Sequence, residues 1–504
     1  MSPHNELIES LRQIVGAANV LTEGDLTAWV QDWRKRETGK ALAVVRPAST
    51  LEVAAVVKAC VAARVSMVPQ GGNTGMVVGS TPDASGTQVV LSLTRMSKVR
   101  ALDAGNLTIT VDAGCVLQNL QDECEKAGFL FPLSLASEGS CTIGGNLGTN
   151  AGGTQVVRYG NTRELCLGLE VVTAQGDIWD GLTGLRKDNT GYDLRHLFIG
   201  SEGTLGVITG ATMKLYPSPK SQLTAFAAVP SLEAAVQLLG LAHQFLSAGL
   251  TGFEIMGQFA LSLVVKHFPQ QRVPFWQDSA AVAQGRPEQS TAPLGSSKTH
   301  TVGSVGAPYC VVLENSDNES EAHARECLER LLEAAMEAGC VSDAVVAESL
   351  AQAKALWHIR ESIPLAQAEE GLNIKHDISI NVSRIPEFVQ ETNALLMAQF
   401  PGARLVTYGH LGDGNLHYNV QAPENADQAR FLSEQEEPMN ALVYGVVDRY
   451  KGSISAEHGV GNLKAEKLEH HKSPVALGMM RAIKLALDPQ NLMNPGRVLR
   501  VQVR

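Results

Sequence analysis

No stretch of this chain reaches the roughly 18 consecutive apolar residues that a membrane-crossing helix needs, so no transmembrane segment is expected. No Cys-x-x-Cys pair occurs among the eight cysteines, which argues against four-cysteine zinc sites and against a disulfide framework; the thiols are expected to be buried and inert. Basic residues are the minority, 41 Lys and Arg against 52 Asp and Glu for a net charge of -11. That balance disfavours nucleic acid and anionic membrane as partners, since both need clustered positive surface. A Gly-x-Gly-x-x-Gly fingerprint is also missing, which disfavours a nicotinamide site of the Rossmann type. There is no internal repeat and no long heptad run. The first thirty residues carry Glu6, Glu9, Glu23 and Asp25, unlike a signal or transit peptide, and a cytoplasmic location is expected.

What is present is an enzyme-sized chain of 504 residues, 44% apolar, too long for one core and so expected to form two or more domains. From about 42 to 218, short β-like runs alternate with glycine-rich turns and a few helical stretches, the pattern of a mixed α+β or α/β unit. TLEVAAVVKACVAARV reads as a helix capped by Ser49 or Thr50 with Glu52 in its first turn. Around 270–307 the composition shifts to Gln, Ser, Thr, Pro and Gly, which predicts a mobile surface insertion. Beyond it, 320–339 and 346–370 read as amphipathic helices, and NIKHDISINV and ARLVTYGH as strands.

Two motifs carry chemistry. HLGDGNLH at 410–417 reads as a hairpin turning at Gly412 to Asn415, which would set His410 directly opposite His417, with Cβ atoms roughly 4.5–5.5 Å apart. Glu457 of SAEHG at 455–459 would complete a shell of two histidines and a carboxylate, the pattern of catalytic zinc with open positions. His458 is then left as a general base, and Asn419, two residues past His417 on the same strand face, is placed to bond a substrate carboxylate or hydroxyl. The other motif is a pair of glycine-rich stretches. PQGGNTGMVVGS at 69–80 presents Gly71, Gly72, Asn73, Thr74 and Gly75 in a turn whose backbone N–H groups can cradle a diphosphate. SEGSCTIGGNLGTNAGG at 137–153 has six glycines between Gly139 and Gly153, allowing close backbone approach to a large cofactor.

Together with DNTGYDLRHLFIGSEGTLGVIT at 188–209 and NPGRVL at 494–499, these motifs make nearly the whole chain resemble the FAD-linked D-2-hydroxyacid dehydrogenases. The resemblance implies an α+β fold: a vanillyl-alcohol-oxidase type FAD-binding domain over 1–218, an α+β substrate domain with an antiparallel sheet over 219–455, and a C-terminal segment, 456–504, returning to close the active site. It places FAD on Gln70, Gly71, Gly72, Asn73, Thr74, Gly75, Met76, Ser140, Thr142, Gly145, Asn146, Thr149, Asn150, Gly152, Gly153, Ile208 and Asn494. GGNTG contains no histidine for flavin attachment, so the FAD is expected to be non-covalent. It also implies a divalent metal on His410, His417 and Glu457, zinc first and manganese as the alternative, and substrate contacts from Arg360 and Lys375.

An arginine fork and a lysine point charge suit the far carboxylate of a dicarboxylic hydroxy acid, which makes D-2-hydroxyglutarate the expected substrate. Pro364 stands where a hydroxyl residue is found in such enzymes, and D-malate and D-lactate are the alternatives. An electron-transfer flavoprotein, a quinone or a cytochrome would accept the electrons, and a homodimer is compatible with the sequence. A zinc hydrolase would leave the glycine loops without a role. A flavin-bearing electron-transfer subunit would leave the metal set without one.

Overall fold

The computed structural model describes residues 3–276 and 307–501; most of the insertion expected around 270–307 lies outside the described residues. The chain forms two compact units, one of residues 1–152, 160–218 and 457–504, the other of 153–159 and 219–456.

In the first unit, strands Met67–Gln70 and Ala41–Val45 flank Gln88–Ser92 in parallel, and Val20–Leu21 adds an antiparallel edge. A separate five-stranded antiparallel sheet runs in the order Val99–Asp103, Thr108–Asp112, Gly206–Lys214, Cys166–Thr173, Ile178–Gly181. The expected helix spans Thr50–Ala62; Ser49 caps it by accepting from the Glu52 N–H, and the Glu52 carboxylate accepts from the N–H of Ala48, just before the cap, at 2.8 Å. All eight cysteines are free, and burial pushes the Cys60, Cys166 and Cys310 thiols up to about 12, as suits packing rather than reactivity.

The second unit is built on an eight-stranded antiparallel sheet. Its strand residues alternate between two cores. Ala225, Ile255, Leu313, Leu405 and Leu416 pack under helices Leu232–Leu246, Glu321–Glu337, Ile385–Gln399 and Gln428–Arg449, while Phe226, Met256, Val312, Val406 and Tyr408 pack under Gln258–His267 and Leu350–Glu370. This period of two decides where polar groups go: Glu254, His410, His417 and Asn419 share the parity of the second set, so all face the side that helix Leu350–Glu370 covers. That helix contains Pro364 and yet continues to Glu370; the ring removes the N–H that would bond the Arg360 carbonyl. At its end the Glu370 carboxylate receives Arg404 Nη1 at 2.7 Å, Lys266 Nζ at 2.6 Å and His267 Nε2 at 2.7 Å; burial alone would raise its pKa, but these three partners hold it down at about 2. Among the described residues no helix is long and apolar enough to cross a membrane.

Candidate active site

The hairpin forms, but one residue earlier than its sequence suggests. Strands Arg404–His410 and Asn415–Gln421 are joined by Leu411 to Gly414, closed by the Asp413 and Gly414 N–H groups donating to the His410 carbonyl, with Gly414 at φ 86°. A one-residue displacement of the turn moves each partner by two, so His410 faces Asn415 and His417 faces Tyr408. His410 is therefore not directly opposite His417. Parity is preserved, and the two imidazoles lie as diagonal neighbours with ring centroids 5.3 Å apart, edge to face.

His417 instead faces Asp377 of the short strand Asp377–Ser379. The chain at 453–456 runs alongside that strand, through Ser453 pairing with Ser379 and the Ala456 N–H donating to the Asp377 carbonyl at 3.3 Å, and delivers Glu457 and His458 immediately after. One donor atom from each of Asp377, His417, Glu457 and His458 lies within 4.8 Å of all the others, a set that could hold a metal ion. Two of the three ligands expected from the sequence, His417 and Glu457, are in this group. His410 is outside it, Asp377 is an addition, and His458, expected as the free base, sits among the donors. Asp377 is 2% exposed and its Oδ1 accepts from Asn415 Nδ2 at 3.0 Å. Its signal was the alternation in NIKHDISINV, which puts Lys375, Asp377 and Ser379 on one strand face.

His410 is held from behind. Its Nδ1 lies 2.7 Å from Glu254 Oε1, and Glu254 Oε2 accepts from Arg360 Nε at 2.8 Å, with the Arg360 guanidinium 4.9 Å from the centre of the Tyr408 ring. Among the described residues, Nε makes the hydrogen bond of the Arg360 side chain, and its two terminal nitrogens donate to no protein acceptor. Lys375 is half-buried in the two-residue step between strands Asn373–Ile374 and Asp377–Ser379. Asn419 lies on the expected strand face: at 3% exposure its Oδ1 accepts from the His376 N–H (3.1 Å) and its Nδ2 donates to Gln367 Oε1 (3.0 Å). One N–H and one acceptor position of the amide thus brace the sheet.

The glycine segments fit an extended cofactor. A Cβ on Gly71 would fall 2.2 Å from Thr142 Oγ1 and one on Gly72 would fall 2.0 Å from Ser140 O, so the two loops pack too closely for side chains at these glycines, whereas Gly75, Gly139 and Gly148 face open space. Gln70 donates to the Trp29 and Ser80 carbonyls and left-handed Asn73 to those of Ala28 and Gln31, which turns both side chains to bracing and leaves the turn's backbone to meet a ligand. Thr142 caps helix Ile143–Thr149, with Gly145 and Asn146 in its first turns and left-handed Asn150 closing it. Thr149 Oγ1 donates to Gly145 O (3.2 Å), Ile208 lies buried on strand Gly206–Lys214, and Gly153 at φ 143° follows Gly152. Thr74 and Met76 are half-buried in the turn. Asn494 is 1% exposed and donates to Gly79 O and Glu202 O, while its Oδ1 has no partner among the described residues, an acceptor left for a ligand donor.

One residue that sequence reasoning passed over shapes this unit. Glu202, at φ 51°, accepts from the Val460 N–H (2.7 Å) and the Gly461 N–H (2.8 Å) and so holds the loop that follows His458. Burial raises its pKa against the pull of those two donors.

The family of this architecture is shown by comparison. The profile of FAD linked oxidases, C-terminal domain, matches residues 218–498, and that of an FAD binding domain matches 41–181. The chain belongs to the FAD-linked oxidase family. It is 39% identical to the D-2-hydroxyglutarate dehydrogenase of Xanthomonas citri pv. viticola, over 97% of this chain and 96% of that protein. It is 38% identical to the probable mitochondrial D-2-hydroxyglutarate dehydrogenase of Oryza sativa subsp. japonica, over 98% of this chain and 81% of that one. Among solved structures, p-cresol methylhydroxylase with substrate bound superposes with a TM-score of 0.73 at 15% identity, covering 99% of this chain and 98% of that one, which establishes a shared fold.

Cofactor attachment can be tested directly. Acid precipitation is expected to release the yellow flavin into the supernatant, because the loop at 71–75 offers no histidine for a covalent link. Flavin that stays with the pellet would overturn non-covalent binding.

Proposed function

We propose that the protein oxidises D-2-hydroxyglutarate to 2-oxoglutarate with non-covalent FAD and a divalent ion, zinc or manganese. The observation that carries this reading is a buried arginine, Arg360, fixed through Nε and left with two terminal nitrogens for a carboxylate, on the helix that covers the sheet face bearing His417 and Asp377. Relatives bearing the D-2-hydroxyglutarate dehydrogenase name over nearly the full chain support the same substrate. Glycine loops 70–76 and 139–153, with Ile208 and Asn494, would hold the flavin; His410, His417 and Glu457 would hold the ion, with Asp377 beside them.

When bound, the flavin would supply a hydride acceptor for C2 and the ion would supply Lewis acidity at the substrate hydroxyl. The protein's own part is to bind, orient and move one proton. Arg360 and Lys375 grip the distal carboxylate, which fixes the far end of the substrate. His458 accepts the proton from the C2 hydroxyl oxygen as the carbonyl forms. Asn419, through Gln367 and the His376 backbone, keeps the segment between strands Asn373–Ile374 and Asp377–Ser379, which carries Lys375, in place. An electron-transfer flavoprotein, a quinone or a cytochrome then reoxidises the enzyme.

Dye-reduction rates across D- and L-hydroxy acids test the substrate class, and a wild-type preference for D-lactate would overturn the dicarboxylate assignment. Replacing Lys375 by Met should lower kcat/KM for D-2-hydroxyglutarate by roughly ten- to a hundredfold, the loss of one charge-assisted hydrogen bond, while D-lactate changes little. Equal losses on both would place Lys375 at the common end of the substrate or in folding.

A further inference from the structure

Glu254 is the most completely buried carboxylate bound to the residues just described. Its side chain is 1% exposed on strand Leu250–Gly257, with apolar Phe253 and Ile255 on either side. Both oxygens are committed: Oε1 to His410 Nδ1 at 2.7 Å and Oε2 to Arg360 Nε at 2.8 Å. Three elements far apart in sequence thus meet on one carboxylate, namely this strand, strand Arg404–His410 and helix Leu350–Glu370. A buried anion with a single guanidinium partner would already be neutralised, so charge balance alone does not explain the second bond, to a histidine. A carboxylate behind a histidine is what fixes the tautomer of a metal-binding imidazole: it draws the proton to the nitrogen it faces and makes the opposite nitrogen the more basic donor.

We propose that Glu254 is a positioning residue for both ends of the substrate site. It holds the proton of His410 on Nδ1, committing Nε2 to the metal side, and it anchors Arg360 through Nε so that the two terminal nitrogens stay together for a carboxylate. The proposal rests on the reading of His410 as a metal ligand and of Arg360 as the distal anchor. It also reconciles His410 with that role although it lies outside the four-donor set, because its outer nitrogen already has the carboxylate partner that ligating histidines carry.

The test uses the flavin-loaded full chain stripped of metal, as wild type and as Glu254→Gln, which keeps the shape and loses the charge. Zinc affinity is measured by competition with a chromophoric chelator, and KM for D-2-hydroxyglutarate and D-lactate on the zinc-reloaded proteins. The variant should bind zinc about 10- to 100-fold more weakly, and its KM for D-2-hydroxyglutarate should rise about tenfold more than its KM for D-lactate. A lower melting temperature with unchanged zinc affinity and an unchanged KM ratio would mean that Glu254 only neutralises Arg360, and would overturn the proposal. A wild type that binds neither zinc nor manganese removes the metal reading itself, and the KM ratio then decides the Arg360 half. Should the variant fail to fold, ¹⁵N NMR of histidine-labelled wild type decides the His410 half: the resonance absent in His410→Asn should report the Nδ1–H tautomer, and an Nε2–H tautomer would refute it.

Discussion

Chelation abolishes turnover, leaves the flavin bound, and is reversed by zinc or manganese: this is the largest effect expected. The donor set Asp377, His417, Glu457 and His458 is chemically separate from the glycine segments that would hold FAD, so removal of one ligand should not release the other. His417→Ala should reproduce the loss, on the order of a hundredfold or more, since Lewis-acid stabilisation contributes several kcal/mol. The same protein retains its visible flavin spectrum. A preparation shown by elemental analysis to be free of metal, yet fully active, would remove the Lewis-acid role.

His458→Ala is expected to slow flavin reduction by roughly 10² to 10⁴-fold, the usual contribution of a general base, while zinc content stays at the wild-type level. Stopped-flow bleaching of the flavin band gives the rate and elemental analysis the metal. The pairing of readouts matters because His458 lies within the donor set. Loss of zinc together with the rate would make it a ligand, and the proton acceptor would have to be sought elsewhere.

The donor-rich and glycine-rich segments were legible in the sequence because each is local. HLGDGNLH announces a hairpin, SAEHG a carboxylate beside an imidazole, and the glycine runs a close backbone approach. The register of the hairpin was not legible. A four-residue loop beginning at Leu411 and one beginning at Gly412 are both compatible with LGDGN, and the choice depends on where Gly414 takes its positive φ and on pairing with Asp377–Ser379. Side-chain parity survived that error, since a shift of two leaves the face unchanged. Asp377 and Glu254 were not singled out because their partners are distant: 40 residues separate Asp377 from His417, and 156 separate Glu254 from His410. A signal existed for Glu254. A lone carboxylate within GFEIMG, a strand apolar on both faces, has to find a buried partner. Asn419 was assigned to the correct face, but whether an amide on that face meets solvent or Gln367 is a matter of packing that strand periodicity does not encode.

The first unit closes on residues that follow the second unit in the chain. Met67 N donates to the Leu492 carbonyl beside the Met67–Met493 bridge, and Lys484, 4% exposed, donates to Thr204 O, Asp488 Oδ2 and Met493 O. During synthesis these partners are absent until the whole of 219–456 has emerged. The first unit, although most of its sequence comes first, therefore cannot complete these contacts until the second has emerged, unlike a domain that folds on the ribosome ahead of its successor. For that interval strand Met67–Gln70, which leads into the glycine turn, lacks its C-terminal cover. Cover for the strand that leads into the glycine turn thus depends on the arrival of residues 484–493.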